Sequence, residues 1–178
     1  MRKWKLTELG RVSPDQYAQQ DKIPVVVVLD NFRSAMNVGS IFRTSDALAI
    51  EKIILCGITA QPPHREILKT AIGASATVEW EYYEDILVAA DQLKEGGYQL
   101  IGIEQTSASI QLQDYDVNRQ EQYAICLGNE VEGLSDALLP HLDAAIEIPQ
   151  YGTKHSFNVA VCGGIVLWHF ASAYHLAQ

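Results

Sequence analysis

Three cysteines in 178 residues, Cys56, Cys126 and Cys162, stand in apolar surroundings without a CxxC pair. Such spacing supports neither a disulfide framework nor a thiolate metal site, and buried free thiols in a reducing compartment are expected. The five histidines, at 64, 141, 155, 169 and 175, show no ligand spacing and no HExxH, so no metal is expected. No GxGxxG occurs, which removes the dinucleotide fingerprint. Gly128 to Ser135 has the spacing of a P-loop, but Leu134 stands where that loop needs a lysine. His155 and Ser156 are neighbours, yet no GxSxG elbow frames the serine, so acyl transfer has little support. Basic residues are scarce: 13 Lys and Arg face 22 Asp and Glu, a net charge of −9 that is unlike a generic nucleic-acid binder. The longest uncharged apolar run, from Phe157 to just past Trp168, is interrupted by Asn158 and Gly163-Gly164 and reads as a core helix, not a membrane span. No basic segment followed by an apolar run and a small-residue cleavage site opens the chain. The expectation is a cytoplasmic protein without membrane attachment.

What is present is the composition of a globular domain, 48% hydrophobic and 20% charged, in a length that buries one core. Residues 1–22 read as a polar N-terminal arm with a short helix from Pro14, and residues 23–178 as the domain proper. Val25–Asp30, Lys52–Gly57, Thr77–Tyr83, Tyr98–Ile103, Tyr123–Leu127 and Ala144–Ile148 read as strands. Helices are expected over 37–49, 64–72, 84–95, 135–141 and 156–176, the third ending at Gly96-Gly97. Residues 106–122 read as a surface loop. Strands alternating with helices predict a single α/β domain with a mostly parallel sheet and helices on both faces.

The charge is unevenly spread. Residues 1–43 hold seven Lys/Arg against four acids, and the remaining 135 hold six bases and eighteen acids. A polyanion can be gripped by such a basic N-terminal part while the rest stays soluble, although a solvated basic tail has the same composition.

Three segments carry the chemistry. Asn37-Val38-Gly39-Ser40-Ile41-Phe42-Arg43 opens a helix, Gly128-Asn129-Glu130-Val131-Glu132-Gly133 follows a strand, and Ile148-Pro149-Gln150-Tyr151-Gly152 leads to Ser156-Phe157-Asn158. Glycines 128, 133 and 152 with Pro149 bend the backbone after strands, where ligands bind in α/β folds. Each loop taken alone is also an ordinary strand-to-helix turn.

Together the three segments resemble the signature motifs of the SpoU/TrmH family of RNA ribose methyltransferases, in order, in spacing and over nearly the whole chain. An Asn followed six residues later by an Arg matches Asn37 and Arg43. Gly-x-Glu-x-x-Gly matches Gly128, Glu130 and Gly133, and Ile-Pro, Gly, Ser-x-Asn matches Ile148, Pro149, Gly152, Ser156 and Asn158. Gln150 replaces a common Met, Phe157 a common Leu and Ala160 a frequent Ser, and the separate N-terminal RNA-binding domain of many longer relatives is not seen.

The resemblance implies a C-terminal trefoil knot, S-adenosylmethionine as cofactor and a tRNA or rRNA 2′-hydroxyl as acceptor. It also implies a homodimer completed through the final helix, whose Val159, Val161, Ile165, Val166, Trp168 and Phe170 are apolar nearly all round. The implied cofactor pocket is formed by Ile103, Gly128, Ile148 and Phe157. The implied catalytic set is Arg43, Asn37, Glu130, Ser156 and Asn158. A guanidinium has no free lone pair, so Arg43 is expected to clamp an RNA phosphate and stabilise charge on the 2′-oxygen. Asn37 is expected to orient Arg43 or the ribose, and Glu130 to hold Arg43 or a loop amide. Ser156 is also a candidate N-cap of the last helix. A knotted base methyltransferase and a non-catalytic RNA- or nucleotide-binding α/β module are the competing readings.

Overall fold

In the computed structural model, which describes residues 1–176, seven strands form one sheet in the order β3-β2-β1-β6-β4-β7-β5, and every pairing is parallel. The strands are β1 (Ile23–Asp30), β2 (Ile50–Cys56), β3 (Glu79–Tyr83), β4 (Tyr98–Ile103), β5 (Ile110–Gln111), β6 (Gln122–Leu127) and β7 (Ala144–Glu147). The helices are α1 (Pro14–Gln19), α2 (Ala35–Ala47), α3 (Arg65–Ala71), α4 (Ile86–Glu95) and α5 (Val159–His175). Among the described residues no helix is long and apolar enough to cross a membrane.

The unbroken apolar run of β1 is explained by burial on both faces. Val25, Val27 and Leu29 pack with Ile41 and Phe42 of α2, Ile67 of α3, and Val166 and Phe170 of α5. Val26 and Val28 point the other way, toward Ala89, Ala90 and Leu93 of α4 and Leu134 and Leu138 of the segment after β6. Helix α5 lies close to α2 because position 163 has no side chain. A Cβ at Gly163 would stand 2.7 Å from Ile41 Cδ1.

Three expectations are corrected. Residues 106–122 are not only a surface loop: Ile110 and Gln111 form edge strand β5 beside β7, and Leu112 is buried. Tyr115 packs on Phe170 with ring centroids 5.7 Å apart, and its carbonyl meets His169 Nε2 at 2.8 Å. Residues 135–141 form turns that end in a single 3₁₀ turn, Leu139–His141, not a helix. Helix α5 starts at Val159, not Ser156, because Asn158 Oδ1 accepts from the backbone N–H groups of Ala160 (3.0 Å) and Val161 (3.3 Å).

The chain runs outward from β1 through β2 and β3, then returns to the other side of β1. The sheet order therefore reverses between β1 and β6, and the carboxyl ends of the strands beyond that point carry the loops of interest.

Candidate active site

The site is assembled by carboxylates at the ends of apolar strands. Asp30 closes β1 with none of its surface exposed. Its two oxygens accept from Ser135 N–H (2.7 Å) and Ser135 Oγ (3.0 Å), which draws the end of the 128–135 loop back onto β1. Asn129 Nδ2 donates to the Asn31 carbonyl at 2.7 Å and ties the start of the same loop. Within it, Asn129 and Gly133 exchange backbone hydrogen bonds of 2.9 and 3.0 Å. Gly133 adopts a left-handed φ of +74°, and a Cβ there would collide with Glu104 Oε2. Glu104, directly after β4, uses that oxygen to accept from Leu134 N–H at 3.0 Å.

The loops after β4, β6 and β7 enclose a cavity of about 370 Å³. Ile103, Gly128, Ile148 and Phe157 all border it, as do Glu130 and Ser156. Its lining is otherwise unusual in sign: Glu104, Glu130, Glu132 and Glu147 surround it, and among the described residues His155 is its one basic side chain and no Lys or Arg borders it. Such a cavity repels phosphate and favours a cationic ligand with apolar flanks.

One edge is a three-residue network that spans the motif segments. Asn37 Nδ2 donates to Glu130 Oε1 at 2.8 Å, and Asn158 Nδ2 donates to Asn37 Oδ1 at 3.2 Å. Glu130 also accepts from the N–H groups of Arg33 (2.8 Å) and Ser34 (3.0 Å), while Ser34 caps α2. Partial burial works to raise the Glu130 pKa, but the bonds from Arg33, Asn37 and Ser34 outweigh it and hold the carboxyl below its usual range. Ser156 is exposed at the cavity edge and is not the cap of α5.

Arg43 is not brought to this network, and the expectations that Asn37 orients it or Glu130 holds it do not stand within one chain. Six residues along α2 separate it from Asn37 by about 9 Å of rise and about 120° of rotation. Glu130 is already committed to α2's first turn. Arg43 is exposed, and among the described residues its side chain makes no hydrogen bond or ion pair. It borders a second, separate cavity beside the N-terminal arm.

Asp30 and Glu104 were not singled out by motif reasoning. The available signal was a carboxylate placed at the end of the apolar run Val25–Leu29 or Leu100–Ile103, where it meets the sheet edge or a loop.

The profile of the SpoU rRNA Methylase family matches residues 24–168. The chain is 30% identical over 144 residues to a 23S rRNA (guanosine-2′-O-)-methyltransferase of Neisseria meningitidis serogroup B, covering 81% of this chain and 56% of that relative. An AdoMet-bound rRNA methyltransferase from Sinorhizobium meliloti superposes with a TM-score of 0.78 at 28% identity, over 94% of this chain and 62% of that one. A TrmH/SpoU tRNA modifying enzyme of A. aeolicus superposes with a TM-score of 0.78 at 23% identity, over 89% and 79% of the two chains, and speaks to the fold alone. The first two relatives are thus considerably longer than this chain.

Proposed function

The chain belongs to the SpoU rRNA methylase family, and from that premise we propose that it transfers a methyl group from S-adenosylmethionine to a ribose 2′-hydroxyl of tRNA or rRNA. The observation that carries the reading is the acidic, Lys- and Arg-free cavity at the ends of β4, β6 and β7. S-adenosylmethionine carries a sulfonium and an ammonium against a single carboxylate, a net charge of +1, so neighbouring carboxylates suit its cationic centres where a phosphorylated cofactor would be repelled. The cavity's volume of about 370 Å³ lies within the range of about 300–1,000 Å³ usual for small-ligand pockets. Ile103, Ile148 and Phe157 would flank the cofactor, and the Gly128 backbone would approach it closely. When bound, the cofactor supplies an electrophilic methyl group on sulfur.

The protein's own contribution is placement. A 2′-oxygen held in line with the bond to be broken gains much of its acceleration from alignment alone. Asn37, Ser156 and Asn158 supply the polar groups that hold the ribose at the cavity edge, and Glu130 keeps Asn37 in its rotamer. Arg43 clamps an RNA phosphate and stabilises negative charge on the 2′-oxygen. Its distance from the cavity within one chain is met by a homodimer formed through α5. Val161 (54% exposed) and Trp168 (56% exposed) leave that helix with an uncovered apolar face. The family's trefoil threading of the C-terminal part and a cytoplasmic location complete the proposal, as does the division into an arm (1–22) and a catalytic domain (23–178).

The test is transfer of isotope-labelled methyl from S-adenosylmethionine to RNA, followed by nucleoside analysis. A 2′-O-methylnucleoside is expected, with calorimetric cofactor binding that a metal chelator leaves unchanged. A base-methylated product, or RNA binding without any transfer, would overturn it.

A further inference from the structure

A second cavity, of about 660 Å³, lies between the N-terminal arm, the end of α2 and the α3 turn. Arg11 and Arg43 both border it, both are exposed, and among the described residues neither side chain makes a hydrogen bond or ion pair. Two unengaged guanidiniums at one opening, in a chain of net charge −9, are a local anion site.

The arm is held in place there. Ser13 Oγ accepts from Gln16 N–H at 3.3 Å, Gln16 Oε1 accepts from Ser13 N–H at 2.8 Å, and Pro14 occupies the first turn of α1. This capping box fixes the chain immediately after Arg11. Tyr17, 5% exposed, forms part of the cavity wall, and its hydroxyl is buried without a hydrogen-bond partner. Burial first, and then Asp46, push that hydroxyl's pKa up to about 12, so it stays a neutral donor. Val12 and Ile72 add apolar surface. The one carboxylate present, Asp46, already accepts from Thr77 Oγ1 at 2.5 Å. It repels a phosphate placed deep in the cavity and favours an amino-bearing edge there.

We propose that this cavity takes one nucleotide of the substrate RNA, with its phosphate on Arg11 and Arg43 at the rim and its base against Val12, Tyr17 and Ile72. The inference rests on the methyltransferase reading for the identity of the polyanion. Arg43 then joins the nucleotide subsite to the reaction, and Arg11 is a substrate-binding residue outside the family motifs.

The test uses the full chain and a short single-stranded RNA carrying 4-thiouridine. Irradiation is expected to cross-link residues within 10–17, 43–47 or 71–77. Arg11→Ala should weaken RNA binding about fivefold to tenfold and lower the salt slope of log affinity by about 0.7. Ala47→Phe, which fills the cavity without removing a charge, should weaken binding similarly. Calorimetric binding of S-adenosylmethionine should be unchanged in both variants. Cross-links confined to other segments, or wild-type RNA affinity in both variants, would overturn the inference. Should a variant fail to fold, the cross-linking map of the unaltered protein decides. Cross-links in this cavity without methyl transfer would sink the enzymatic reading and leave the subsite standing. Transfer that neither variant affects would do the reverse.

Discussion

Asn37 and Glu130, 93 positions apart in sequence, meet through a 2.8 Å hydrogen bond that joins the first turn of α2 to the loop after β6. Glu130 accepts two further bonds from the backbone of Arg33 and Ser34, so one carboxylate satisfies three donors ahead of and within a helix N-terminus.

Replacing Glu130 should therefore cost stability before it costs chemistry. Glu130→Ala is expected to lower the unfolding free energy at pH 7 by about 1.5–3 kcal/mol, the range for charge-assisted bonds. Because the folded carboxyl titrates below its ordinary value of 4.5, its contribution is complete above that value and is lost as pH falls through the folded-state pKa. Urea unfolding at pH 7 and at pH 4 should show a smaller gap between wild type and variant at the lower pH. An equal gap would mean that the carboxylate's charge contributes nothing.

Arg43→Ala should reduce methyl transfer by about 10²–10³-fold, the scale for losing one oxyanion-stabilising donor. Cofactor affinity should hardly change, because the residue borders the other cavity. Arg43→Lys should recover little, since an ammonium lacks the guanidinium's fork. Calorimetry and initial rates measured on the same preparations check this, and a variant with near-normal transfer would remove Arg43 from the reaction.

The exposed face of α5 predicts the oligomeric state. Trp168→Asp is expected to convert a dimer into monomers in sedimentation velocity, with far-UV circular dichroism retained, because more than half of that indole's surface is uncovered in the single chain. Loss of methyl transfer with retained cofactor binding should accompany the change. A wild type that sediments as a monomer would remove the dimer from the mechanism.

Not every basic residue of the arm is free for RNA. Arg2 pairs with Glu8 at 2.9 Å and lies 5.1 Å from the Trp4 ring centroid, which leaves Lys3, Lys5 and Arg11 as the expected phosphate ligands. Deleting residues 1–11 should flatten the dependence of log RNA affinity on log salt by about 0.7 for each single-strand phosphate that the arm neutralises. Affinities of full-length and truncated protein across a salt series decide it, and equal slopes would make the arm a bystander.

The amino-acid sequence by itself determined the parallel α/β frame, because a strand buried on both faces must be continuously apolar, as Val25–Leu29 is. The resemblance of its motifs to those of the SpoU/TrmH family pointed to Ile103, Gly128, Ile148 and Phe157 as pocket residues, and all four border the cavity. Edge strand β5 was illegible because two exposed residues, Ile110 and Gln111, display no period, and their pairing is visible only beside β7. The start of α5 is not legible in sequence because Ser156 and Asn158 are both good caps, and only the tertiary position of Asn158, donating to Asn37, makes one of them the cap. The anchoring roles of Asp30 and Glu104 depend on partners 105 and 30 residues away. Arg43 shows the same division: its place in the motif is a matter of sequence, but its direction is set by helical rotation. At about 100° per residue, six steps along α2 turn it away from Asn37 and toward the arm.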